Sequence, residues 1–135
     1  MRVLLVIALC FSGPAFASQA ADKAETFLAE VTAGDPAKAI DNLFAGSGIL
    51  MLKPQSVEFM KTQTKAAIEA YGKVLGVEKI HEESLSPSLK RLVYLQKFEF
   101  CPVIWEMYFY KAKDSWQINS ILFNDEVGAL VGPKK

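Results

Sequence analysis

The spacing of apolar residues changes once along this 135-residue chain, near Val74, and that single change decides the fold class. Before it, Ala21, Ala24, Phe27, Leu28 and Val31 recur at steps of three and four, which predicts a helix that stops at Ala33-Gly34. Asp35-Pro36 then pairs a capping side chain with a proline suited to the first helical position, followed by the stripe Ala37, Ile40, Leu43 and Phe44. Ala45 to Gly48 interrupts, Ile49 to Leu52 reads as an apolar connector, and Pro54 opens a third, longer helix to Tyr71, stopped by Gly72. Its predicted stripe is Val57, Met60, Thr64, Ala67 and Tyr71. After Val74 the residues become β-branched and aromatic, and strands are predicted over Val77 to Ser84, Leu89 to Phe100, Val103 to Lys111 and Trp116 to Phe123. Val127 to Pro133 is a weakly patterned tail. The chain therefore reads as an α+β domain, three N-terminal helices packed on an antiparallel sheet of about four strands.

Alternate residues of a strand share a face. With hairpins turning about Cys101-Pro102 and Lys113-Asp114, one face collects Leu92, Tyr94, Phe98, Trp105, Met107, Phe109, Trp116, Ile118 and Leu122, and should pack on the helices. The other carries Val93, Leu95, Lys97, Glu99, Ile104, Glu106, Tyr108, Tyr110, Gln117, Asn119, Ile121 and Phe123, with Lys97 opposite Glu106. So much apolar surface on a second face invites contact with a ligand or another chain.

Residues 1–20 have the plan of a cleavable secretory leader. Arg2 gives a positive start, Val3 to Phe11 is unbroken apolar, and Ser12-Gly13-Pro14 breaks the run before a small-residue segment. The apolar run is too short to span a membrane. Both Ala15-Phe16-Ala17 and Ser18-Gln19-Ala20 put small residues where a signal peptidase wants them, so Ser18 and Ala21 both qualify as the mature start. With the slight preference given to Ala21, a single domain over 21–135 follows, exported to the periplasm or outside the cell.

Lys plus Arg and Asp plus Glu each number 15, and losing Arg2 barely tips the balance, which argues against nucleic acid or anionic lipid as a partner. Cleavage would also remove Cys10, one of two cysteines, leaving Cys101 without an intramolecular partner. His81 beside Glu82 and Glu83 reads as a solvated strand-end cluster, because adjacent strand residues point to opposite faces. One histidine and one cysteine make a poor metal set. Gly46-Ser47-Gly48 lacks the Lys-Ser/Thr of a phosphate loop, and Ala45 stands where a nucleophile elbow needs glycine. No cofactor, metal or catalytic set is expected.

The order of three helices, a hairpin and a meander closing on Asp114-Ser115-Trp116-Gln117-Ile118-Asn119-Ser120-Ile121-Leu122-Phe123 resembles the nuclear transport factor 2-like, or ketosteroid isomerase-like, superfamily, most of all its short exported members without assigned function. The resemblance implies a curved sheet forming a cone around the helices, an open end able to hold a small apolar ligand, and a homodimer made through the sheet. In isomerase-type members a carboxylate base and a tyrosine-acid pair converge in the cone. Here Tyr94 falls on the inner face while Glu99 and Glu106 fall on the outer one, an assignment that a one-residue slip would reverse. The expected function is an exported, non-catalytic module binding a small apolar ligand or a protein partner, with Tyr94, Trp105, Tyr108 and Glu106 as the ligand-binding candidates. The alternative is an isomerase- or hydrolase-like enzyme using a tyrosine and a carboxylate in the cone. A third reading is an envelope assembly or immunity-type partner.

Overall fold

The computed structural model describes residues 18–130, so most of the proposed leader lies outside the described residues. Four helices precede four strands: α1 (Gln19–Thr32), α2 (Pro36–Phe44), α3 (Gly48–Leu52), α4 (Pro54–Tyr71), β1 (Val74–Ser86), β2 (Leu89–Phe98), β3 (Pro102–Tyr110) and β4 (Gln117–Asn124). A 3₁₀ turn, Val127–Leu130, occupies part of the predicted tail. The strands form one antiparallel sheet in the order β1-β2-β3-β4.

The helix starts follow their caps. Ser18 Oγ accepts from the Ala21 N–H at 3.0 Å and Asp35 Oδ1 from the Lys38 N–H at 3.0 Å, each satisfying a donor that the first turn leaves free. Ile49 to Leu52, expected as a connector, is instead the five-residue helix α3, because Ser47 caps it by accepting from the Leu50 N–H at 3.3 Å. After α4 the chain turns at Gly72, whose φ of +85° lies in the left-handed region. A Cβ there would also stand 2.9 Å from the Phe100 ring, so the site needs glycine for two reasons. The β2–β3 turn docks at this corner through Glu99 N–H to Lys73 O and Phe100 N–H to Tyr71 O.

Two details of the sheet depart from the sequence reading. The β2–β3 hairpin pairs Tyr94 with Trp105 and Lys97 with Pro102, so Glu106 meets Val93 instead of Lys97. The displacement is an even number of residues, and the inner and outer faces survive it. In β4 a bulge at Asn119 breaks the alternation: Phe109 pairs with Ile118 but Tyr108 with Ser120. An extra residue flips everything beyond it. Ile121 and Phe123, expected outside, therefore join the core, and Leu122, expected inside, is exposed.

The core lies between α1, α2, α4 and the inner face of β2, β3 and β4, filled by Phe27, Leu28, Val31, Ile40, Phe44, Leu92, Trp105, Met107 and Phe109. Burying each of the large ones contributes about 1.5–3 kcal/mol. Phe27 meets Trp105 edge to face at 5.1 Å, the arrangement that aromatic quadrupoles favour. The long edge strand β1 behaves differently, for none of its thirteen residues is buried. Three bulges interrupt its pairing with β2, passing over Leu75, Ile80 and Leu85, all of which are exposed. Such irregularity blunts an edge that would otherwise invite another strand.

Candidate functional site

Because α1 packs over β2 and the helices leave the inner face of β1 uncovered, a groove of about 520 Å³ opens between α1 and the β1 edge. Leu28, Ala29 and Val77 give it apolar walls, Gly76 and Thr32 add small ones, and Glu25 and Lys79 stand at its sides. Tyr94 reaches it from β2. The tyrosine is 1 % exposed, and its hydroxyl, shielded from solvent, has the Glu25 carboxylate close by but makes no hydrogen bond of good geometry. An unpaired buried hydroxyl costs about 1–3 kcal/mol, so something must outweigh that loss or complete the bond.

The electrostatics define what that hydroxyl can do. Burial, reinforced by the negative charges of Glu25 and Glu82, pushes the Tyr94 phenol well above its ordinary range, so it stays protonated and can donate. Lys79, ion-paired with Glu82 on the same side of β1, offsets part of this field. Ser18 Oγ donates to the same Glu82 carboxylate at 2.8 Å. The Lys79 contact, followed by Ser18 and the charge of Lys90, holds Glu82 below the usual carboxylate range.

Next to Tyr94 on the inner face, Gln96 is fully buried and has every reason to be. Its Oε1 accepts from Trp105 Nε1–H at 2.9 Å, and its Nε2 donates to Thr32 Oγ1 at 3.2 Å. Thr32 in turn donates to Leu28 O at 2.8 Å. This chain ties β3 to α1 through the sheet and forms the floor beside the groove. Gln96 was absent from the residues singled out in the sequence; its place between Tyr94 and Phe98 on an alternating strand, two residues from each, was the signal that marks it as inward.

The other predicted site residues lie elsewhere. Trp105 is buried in the core, with its indole N–H satisfied by Gln96. Glu106 and Tyr108 sit on the outer face, where Glu106 Oε1 accepts from Tyr108 O–H at 2.6 Å and from Arg91 Nε–H at 2.7 Å. The Tyr108 bond and then the Arg91 charge hold Glu106 below the usual carboxylate range, and the same bond raises Tyr108. Arg91 reaches on to Glu83, which meets His81 Nε2 at 3.2 Å, completing a ladder of charged groups across β1, β2 and β3. It covers the outer side of a sheet in which Val93 and Ile104 are buried apart from the main core. His81 and Glu83 do share a side, with Glu82 on the opposite one, as strand alternation requires.

A second, smaller cleft of about 270 Å³ separates α1 from α2, and across it Asn42 Nδ2 donates to both Glu30 oxygens. Thr64 Oγ1, also without a partner among the described residues, lines neither cavity. Among the described residues no three metal-ligating side chains converge, and no helix is long and apolar enough to cross a membrane. Compared with models of protein families, with curated proteins and with solved structures, the chain gives no match.

Proposed function

We propose that this chain is an exported, non-catalytic binding module of the nuclear transport factor 2-like kind, and that the groove between α1 and β1 takes a small, uncharged, largely apolar molecule carrying one hydrogen-bond acceptor. The observation that carries the reading is the groove with apolar walls, lined in part by Tyr94, whose buried, protonated hydroxyl lacks a well-formed hydrogen bond within the chain. The volume lies within the range of small-molecule sites, which are mostly apolar with a few fixed polar groups. An acceptor oxygen on the ligand completes the Tyr94 bond. The Glu25 carboxylate beside that hydroxyl disfavours an anionic head group, which sets neutral ketones, esters and alcohols ahead of carboxylates of the same length.

The enzyme reading has less to stand on. Glu106 is engaged by Arg91 and Tyr108 on the far side of the sheet, and Glu25, the carboxylate by the groove, is exposed to water. A homodimer through the outer face would cover the exposed Tyr110 and Leu122.

Matched ligands test the proposal. Decan-2-one and decanoate, titrated separately into the purified domain and followed by chemical shifts of the α1 and β1 amides, should separate: saturable binding of the ketone, little or none of the carboxylate. Equal binding of both, or shifts confined to the outer face, would overturn it.

A further inference from the structure

We infer that the leader is cut between Ala17 and Ser18, so that Ser18 begins the mature protein; this rests on the export reading above. The sequence offers two cleavage points three residues apart, and the structure distinguishes them because Ser18, Gln19 and Ala20 are each built into the folded domain. Ser18 caps α1 with its side chain, and its carbonyl accepts from the Asp22 N–H at 3.0 Å. Its hydroxyl also ties the start of α1 to β1 through Glu82. Gln19 Oε1 accepts from the backbone N–H of Trp116 at 3.3 Å, joining the same helix end to the entrance of β4. Ala20 is completely buried in the core.

Cleavage before Ala21 would remove all three contacts at once. It would leave the first turn of α1 without a cap and put a charged amino group on a residue that is itself 5 % exposed. Cleavage before Ser18 preserves them. The new α-ammonium then belongs to the residue whose hydroxyl already meets Glu82, and this carboxylate and Asp22 in the first turn offset the unfavourable charge at a helix N-terminus. The residues preceding this bond, Ala15-Phe16-Ala17, supply the small side chains that a signal peptidase requires.

The full chain, leader included, should be expressed in a secreting bacterial host, and the exported protein characterised by intact mass and N-terminal sequencing. The expected N-terminus is Ser-Gln-Ala-Ala. A chain beginning at Ala21 would overturn the assignment of the cut while leaving export intact; an unprocessed chain would overturn both. A second measurement isolates the structural argument. Chains produced to begin at Ser18 and at Ala21 should differ in melting temperature, the shorter melting about 5 °C lower, and equal melting would remove the reason for preferring Ser18.

Discussion

Tyr94 and Tyr108 belong to adjacent strands of one sheet and point to opposite faces, and their hydroxyls have opposite fates. Tyr108, on the outer face, donates to Glu106 in a short bond that Arg91 supports from the side. Tyr94, on the inner face, is the more deeply buried of the two and, although Glu25 stands close, makes no bond of comparable geometry. A hydroxyl that finds its acceptor within the chain has a structural role. One that is shielded from water beside a groove and makes no well-formed bond costs stability unless a better-placed acceptor arrives. The difference between the two faces thus separates a network that holds the sheet from a place where another molecule completes the bond.

The largest effect should come from the inner network. Gln96→Leu strands the Trp105 indole N–H in the core, and a denaturant titration should show a loss of about 2 kcal/mol. A smaller loss would mean that the indole finds another acceptor. The two tyrosines provide the sharper contrast. Tyr108→Phe removes a bond to a partly buried carboxylate and should cost about 1 kcal/mol, whereas Tyr94→Phe removes a hydroxyl with no well-formed bond and should be neutral or slightly stabilising. Equal losses in the two variants would break the comparison.

The smallest effect concerns acid. Glu106 and Glu82 are both held below the ordinary carboxylate range in the folded protein, Glu106 chiefly by Tyr108 and Glu82 by Lys79. Lowered folded-state values mean that their stabilisation is complete above about pH 4.3 and disappears as the pH falls through those lowered values. Urea melts from pH 6 to pH 2.5 should show this. In Tyr108→Phe the Glu106 part of the acid-sensitive stabilisation should shrink by less than about 1 kcal/mol, given its partial exposure. An unchanged acid limb would show that Tyr108 does not hold Glu106 in solution.

Much of this arrangement was legible in the sequence. The change of period near Val74 separated helices from strands, and Asp35-Pro36 marked a helix start that the structure bears out. Tyr94 was placed on the inner face although the hairpin register was displaced, because alternation depends only on odd and even positions. Three things were not legible. The bulge at Asn119 reversed Leu122 with Ile121 and Phe123, and nothing in Ile118-Asn119-Ser120 announces an extra residue. The bulges of β1 likewise have no local signature. The groove itself depends on how far α1 reaches across the sheet, which arises from packing between segments far apart in the chain, so Glu25, Ala29 and Lys79 could not be linked to Tyr94 in advance.

The central claim is that the Tyr94 hydroxyl serves a ligand, and an equilibrium binding titration tests it most directly. Nile red, an uncharged dye with a carbonyl acceptor, should be titrated into the native protein, Tyr94→Phe and Ala29→Trp, the last of which fills the groove from α1. The account predicts saturable binding to the native protein, about tenfold weaker binding to a fully folded Tyr94→Phe, and none to Ala29→Trp. Equal affinity for all three proteins, or no saturable binding to any, would contradict it.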